Sequence, residues 1–169
     1  MSATHPASLP DESLLRDCSE RRTRRSGPGG QHRNKVETAV VLKHVPTGIE
    51  AEANERRSQV ENRRVAVFRL RVKLALEVRG DRSSESSPSD LWRTRCRNGR
   101  ISLNPEHTDF PAILAEALDA LAAHGFELSA VATALSCTSS QLVKLLKDEP
   151  RAFALLNRER IERGLPRLR

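Results

Sequence analysis

Apolar and polar residues alternate in several short runs within the first third of the chain. The alternation over 49–54 places isoleucine and alanine on one face and polar side chains on the other, as in a strand with one covered face. A run rich in β-branched residues over 38–45 precedes it, and the Pro-Thr-Gly of 46–48 is typical of a turn. The pattern predicts a β-hairpin, an arginine-rich edge strand over 20–25 and a short helix over 11–18.

The apolar period becomes helical between about residues 58 and 79. Val60, Val67 and Leu74 lie seven residues apart, and this spacing predicts an amphipathic helix. Three arginines follow the same spacing beside the apolar stripe: Arg57, Arg64 and Arg71. Two interpretations of these arginines stay open, a solvated face that keeps the helix soluble and a face that contacts RNA.

The composition changes after residue 79. Residues 80–90 contain five serines and no apolar side chain, which predicts a flexible linker, and we extend this linker and connector over 80–108. The pattern further along predicts only helices, over 109–124, 129–135, 139–147 and 151–163. The predicted fold class is α+β: over 11–79 a small sheet with a β-hairpin packed on a long amphipathic helix, then over 109–169 a separate all-helical, helix-turn-helix-like domain.

The two middle helices of this helical domain have the core spacing of a helix-turn-helix. Residues 139–147 take the place of the recognition helix, and Ser136 stands in the turn where glycine is usual. The segment 109–150 holds 2 Lys or Arg against 6 Asp or Glu, so DNA binding by these helices alone is disfavoured. We expect a docking module for a partner of unknown type.

The composition excludes several classes of protein. No apolar run approaches the ~20 residues that cross a bilayer, and the first residues lack the apolar segment of a secretory signal. Three cysteines without a CxxC pair suit a reducing compartment, so we expect a cytoplasmic location. Four Phe, one Trp and no Tyr argue against folds that stack bases on a sheet. The five histidines lack ligand spacing, so no metal and no cofactor are expected.

Positive charge is concentrated in the first half of the chain. Residues 1–80 hold 16 Lys or Arg and 10 Asp or Glu, a net charge of +6, whereas residues 109–169 hold 8 of each. A polyanion is therefore the expected partner of the first half. The last segment, 151–169, is basic again, and its arginines are Arg151, Arg158, Arg160, Arg163, Arg167 and Arg169.

The most informative stretch is 26–35, which reads SGPGGQHRNK. Its context has a defined order: Thr38-Ala39-Val40, the Pro-Thr-Gly-Ile of 46–49, and Arg57-Ser58-Gln59 followed by Asn62 and Ala66. Over 14–79 this order resembles the catalytic domain of class-I peptide chain release factors. In its build the chain is similar to their short relatives, the codon-independent ribosome-rescue peptidyl-tRNA hydrolases. The resemblance implies Gly29, Gly30 and Gln31 as the catalytic residues.

The chemistry of ester hydrolysis suits these residue types. The reaction passes through a tetrahedral oxyanion that needs hydrogen-bond donors aimed at it. Gly29 and Gly30 permit a close approach of the backbone that side chains would block. The amide of Gln31 does not titrate usefully, so it positions water or excludes other nucleophiles rather than acting as a base. The resemblance implies that the backbone N–H of Gln31 acts on the oxyanion, with ribosomal RNA and the tRNA ribose completing the site.

Contacts with RNA are expected around the glycine-rich stretch, at His32 because of the family pattern and at the arginines because they add to an already basic domain. The residues expected to make them are His32, Arg33, Asn34, Lys35, Arg24, Arg25, Arg57, Arg64 and Arg71. The expected partners are the RNA of the large ribosomal subunit and peptidyl-tRNA, bound by a monomer that does not associate with membranes.

The leading hypothesis is therefore an enzyme, a ribosome-dependent peptidyl-tRNA hydrolase. Only about 25 residues precede Ser26, so stop-codon reading is not expected. Whether the basic segment 151–169 does the work of a rescue factor's tail in the mRNA channel is left open. The alternatives are a ribosome- or RNA-binding regulator that keeps the scaffold without hydrolysis and, with less support, a transcription regulator using the helix-turn-helix.

Overall fold

The computed structural model of the chain describes residues 4–23 and 38–169. They fall into two compact units, which we describe separately. The first unit is Leu9–Leu74, and the second combines the N-terminal residues up to Ser8 with Ala75–Arg169. Antiparallel sheets together with helices confirm the predicted α+β class. The predicted boundaries 11–79, 80–108 and 109–169 differ from these units, and the catalytic role given to 11–79 stays a prediction.

The first unit contains one three-stranded sheet. Its strands pair antiparallel in the order β1-β2-β3, so the arginine-rich strand lies at an edge, as expected for charged side chains. The elements of the unit are α1 (Asp11–Arg16), β1 (Cys18–Thr23), β2 (Ala39–His44), β3 (Glu50–Ala53) and α2 (Gln59–Glu77), whose last turn belongs to the second unit. Arg24 and Arg25, at the end of the predicted first strand, lie outside the described residues.

The core of the first unit follows the two periods read from the sequence. Alternate residues of β2, Val40 and Leu42, are fully buried and are paired with the buried alanines of β3. The buried stripe of α2 repeats every four residues: Asn62, Ala66, Leu70 and Leu74. Val60 was predicted in this stripe but is 62% exposed. Asn62 takes the buried position in the first turns instead, because backbone groups packed there need a polar partner.

The second unit is mainly helical. It begins with a 3-10 turn (Pro6–Ser8), and His5 just before it is buried, which lowers the pKa of its imidazole. The remaining elements are α3 (Asp90–Arg95), β4 (Cys96–Arg97), β5 (Arg100–Ile101), α4 (Phe110–Ala123), α5 (Leu128–Ala134), α6 (Ser139–Lys147) and α7 (Pro150–Glu162).

Residues 80–108 are packed into this unit, contrary to the predicted flexible linker. The hydroxyl of Ser89 caps α3, and its backbone N–H donates to the carboxylate of Glu116 at 2.8 Å. Trp92, 1% exposed, donates its indole N–H to the carbonyl of Leu135 at 2.8 Å. Ser89, one of the serines that suggested a linker, acts here as a helix cap and a hydrogen-bond donor, and the apolar anchor Trp92 follows the serine-rich segment.

A helix, a turn and a second helix follow one another at α5 and α6, in the order that the spacing predicted. Val131, Leu135 and Leu142 are fully buried between the helices, as their spacing predicted. Ser136, in the turn, has a φ of +54°, which lies in the left-handed region usually taken by glycine.

The basic end of the chain folds back on α7. Asn157 exchanges two hydrogen bonds with the backbone of Leu168, at 3.2 and 2.8 Å. Arg160 is 6% exposed and donates to the carbonyls of Phe126 and Pro166. One of the terminal arginines therefore satisfies backbone carbonyls inside the unit, because a guanidinium can serve several acceptors at once.

Candidate functional site

The glycine-rich stretch lies outside the described residues, so the roles predicted for it stay predictions. This applies to Gly29, Gly30, Gln31, His32, Arg33, Asn34 and Lys35, and also to Arg24 and Arg25. The structure does describe the two strands from which this stretch leaves and to which it returns.

The base of the stretch is held by a strand pair. Thr23, the last residue of β1, is paired with Ala39, the first residue of β2. Paired Cα atoms in an antiparallel sheet lie roughly 5 Å apart. Thr23 and Ala39 therefore lie at the same end of the sheet, and the glycine-rich stretch connects them in sequence.

Asn62 ties this base to the start of α2. Its side-chain amide is fully buried and donates to the carbonyl of Thr38 at 2.7 Å and to that of Arg56 at 2.9 Å. Its side-chain oxygen accepts from the backbone N–H of Arg56 at 2.9 Å. One side chain thus links the residue before β2, the turn before α2 and α2 itself. Sequence reasoning placed Asn62 only in the motif context; a polar residue in the buried four-residue period of α2 is the signal that could have found it.

The structure separates the three arginines that the spacing treats as equivalent. Arg57 and Arg64 are exposed and form no ion pair with any described residue. The side chain of Arg71 is only 12% exposed, and its guanidinium lies 3.3 Å from the carboxylate of Asp11 in α1. Arg57 and Arg64 are therefore the cations of this set that are available to a phosphate backbone.

Glu20 balances part of the charge on the edge strand. The guanidinium of Arg63 in α2 donates to its carboxylate at 2.8 Å, and that of Arg22 donates at 3.3 Å. The hydrogen bond from Arg63 holds the pKa of Glu20 below its ordinary value, with Arg22 acting in the same direction. Glu20 therefore stays ionised at neutral pH and attaches β1 to α2.

Within residues 4–23 and 38–169, no group of three or more His, Cys, Asp or Glu side chains is placed to hold a metal ion. None of the helices described there is long and apolar enough to cross a membrane.

Comparison with known proteins identifies the family. The family model described as RF-1 domain matches residues 14–102, which is more than half of the chain and includes the whole glycine-rich stretch. The chain therefore belongs to the RF-1 domain family, which confirms the resemblance to the catalytic domain of class-I release factors.

The curated relatives are similar over the same part of the chain. Peptide chain release factor PrfB1, chloroplastic, of Arabidopsis thaliana is 46% identical over 77 residues, 46% of this chain and 16% of the relative. Peptide chain release factor 1 of Ureaplasma parvum is 37% identical over 119 residues, 59% of this chain and 33% of the relative. The protein of the same name from Chlorobaculum tepidum is 42% identical over 89 residues, 52% of this chain and 24% of the relative. The chain thus spans a third or less of each of these relatives.

Proposed function

We propose that this protein hydrolyses the ester bond of peptidyl-tRNA on the ribosome and releases the nascent peptide without reading a stop codon. The observation that carries the proposal is the Gly29-Gly30-Gln31 sequence inside the matched RF-1 domain. The relatives are named peptide chain release factors, which supports a role in translation termination. The proposal includes a cytoplasmic location, a monomeric enzyme, and the large-subunit RNA as the surface that completes the site.

The residue types indicate which step of this mechanism each group would perform. A backbone N–H at Gln31, brought close by Gly29 and Gly30, stabilises the oxyanion as the ester carbonyl is attacked by water. The side-chain amide of Gln31 orients that water through its acceptor and donors. The chain's part is thus to position water and stabilise charge, while the ribosome holds the ester in place.

Support for the scaffold comes from the described residues around the stretch. The pairing of Thr23 with Ala39 and the hydrogen bond from Asn62 to Thr38 hold in place the described residues on either side of 24–37. Arg57 and Arg64 are exposed in the same unit without a counter-ion among the described residues. A segment that binds among RNA phosphates requires flanking residues held in place and cations without counter-ions.

A release assay on defined ribosome complexes tests the proposal. We expect peptide release when the ribosome carries a stop codon, a sense codon, or an mRNA that ends at the peptidyl site. Free peptidyl-tRNA should be a poor substrate, since the chain alone lacks the RNA part of the site. Release only at stop codons would contradict codon independence, and tight ribosome binding without release from any complex would favour the non-catalytic regulator.

The two free arginines of α2 and its preceding turn give a second prediction. Arg57→Gln with Arg64→Gln should weaken ribosome binding roughly tenfold and lower the slope of log K against log salt by about two, because each lost phosphate contact no longer releases counter-ions. Arg71→Gln is the matched control: its guanidinium is mostly buried beside Asp11, so stability should fall while the salt slope stays. If Arg71→Gln lowered the salt slope as much as the double substitution does, Arg71 would also be an RNA-binding residue.

A further inference from the structure

The second unit carries a basic surface that the proposed function does not use. It consists of Arg97 and Arg100 on the hairpin of β4 and β5, and Lys144 on α6; we call it the hairpin–helix surface. All three side chains are exposed. The surface lies apart in sequence from the glycine-rich stretch and from the arginines of α2.

The hairpin has a two-residue turn that brings its arginines together. Asn98 and Gly99 both have positive φ, 51° and 76°, which is the geometry of the tight turn that matches strand twist. Arg97 and Arg100 are consequently direct partners across the strand pair. Side chains at directly opposite positions lie on the same face of a hairpin, and like charges placed there are destabilising.

The hairpin is held against the start of α6. The carbonyl of Gly99 accepts from the backbone N–H of Thr138, the N-cap of α6, at 3.1 Å. The side-chain oxygen of Gln141 accepts from the backbone N–H of Ile101 at 3.1 Å. Arg100 and Lys144 therefore line one open pocket of about 560 Å³.

The cations of this surface lack counter-ions. Among the described residues, neither Arg97, Arg100 nor Lys144 takes part in an ion pair. Arginines close by in sequence are neutralised, since Arg95 lies 2.6 Å from the carboxylate of Asp109. The residues that line the pocket include no carboxylate side chain; Asp148 shares a smaller pocket with Lys144 but forms no ion pair with it. Two arginines facing each other and a nearby lysine, all unneutralised, suit a ligand with several regularly spaced negative charges.

The lining of the surface indicates which polyanion fits. The residues that line the pocket include no Phe, Tyr or Trp, the large rings on which unpaired bases stack. Its one aromatic ring is the imidazole of His107, whose Nδ1 accepts from the backbone N–H of Asp109 and whose Nε2 lies 3.1 Å from the guanidinium of Arg95. Cations alone suit the phosphates of a double helix, whose bases are already stacked on one another. We propose that the hairpin–helix surface binds the phosphate backbone of double-helical RNA. The choice of RNA rather than DNA rests on the proposed function, in which the protein acts on the ribosome.

Binding of a labelled 20-base-pair RNA duplex of mixed sequence to the full chain tests this proposal. Arg97→Gln with Arg100→Gln should raise the Kd roughly tenfold at 0.15 M salt and lower the salt slope by about two. The matched control is Arg158→Gln with Arg167→Gln, which removes the same charge around another pocket of the second unit, one that Glu162 also lines. This control should change the Kd by less than about twofold. The same binding measurements, repeated in a variant that also lacks Arg57 and Arg64, separate the contribution of this surface to the Kd from the contribution of the first unit.

The outcomes distinguish the proposal from its alternatives. Equal losses in the test and control variants would mean that only net charge matters and would overturn it, as would tight binding confined to a DNA duplex of the same sequence. An unchanged Kd for RNA would also overturn it and would favour an acidic protein segment as the occupant. Gln31→Ala should leave duplex binding intact, so failure of the hydrolysis proposal and failure of this one are separate results.

Discussion

Gly30→Ala is expected to lower the rate of peptide release from ribosomes by about a hundredfold or more. The added methyl group obstructs the approach of the backbone and displaces the N–H of Gln31 from the oxyanion, and loss of one such donor costs on the order of a hundredfold to a thousandfold in rate. Gln31→Ala, which keeps the backbone N–H and removes the water-positioning amide, should cost roughly tenfold to a hundredfold.

Both changes should leave ribosome binding close to that of the unchanged protein, because they remove no charge. Single-turnover release at saturating protein, with binding measured in parallel, separates the two quantities. Gly48→Ala is the matched control: Gly48 lies in a turn of the same unit with a φ of +74°, and an added methyl group meets no atom within 4 Å. It should cost about 1 kcal/mol of stability and no release activity. Full activity in both Gly30→Ala and Gln31→Ala would remove the catalytic assignment.

Asn62→Asp is expected to have the second largest effect, on stability and on release together. The substitution keeps the shape of the side chain but removes the hydrogen bonds donated to the carbonyls of Thr38 and Arg56. It leaves two partly buried carbonyls without this donor and introduces a buried carboxyl group, so the free energy of unfolding should fall by roughly 2–4 kcal/mol.

At a temperature where the variant is still folded, its release rate should also fall, because the return of the glycine-rich stretch at Thr38 is no longer held. Asn54→Asp is the matched control, since the side chain of Asn54 forms no hydrogen bond with a described residue. It should change stability by less than about 0.5 kcal/mol. Denaturant unfolding followed by release at 15 °C gives both quantities. A destabilised Asn62→Asp protein that releases peptide at the normal rate would make Asn62 a stabilising residue only.

Strands and helices were predicted well where the pattern is local. The alternation over 49–54 and the helical period after residue 58 correspond to β3 and α2 within two residues at each end. These periods depend only on which neighbouring residues face the core, so they are visible in the sequence itself. The error at Val60 arose because a seven-residue spacing does not say how far along the helix the covered face extends.

The prediction of residues 80–108 failed for a different reason. A serine-rich composition indicates low burial only when no other element lies within reach of those hydroxyl groups. Here the carboxylate of Glu116 in α4 accepts from the backbone of Ser89, and Trp92 finds an acceptor at Leu135. Both partners are more than 25 residues away in sequence, and neither can be read from local composition.

The sequence by itself determined the family, the expected catalytic residues and the positions of most strands and helices, because a motif and a period are properties of neighbouring residues. Only the tertiary structure decided which charges are free. Charge counted along the chain placed Lys144 in an acidic segment, whereas the fold sets it beside Arg100 in a pocket that no carboxylate lines, with Asp148 in a smaller pocket. The fold likewise pairs Arg71 with Asp11, which is 60 residues away in sequence. The physical reason is that electrostatic attraction depends on distance in space and on burial, and residue order specifies neither.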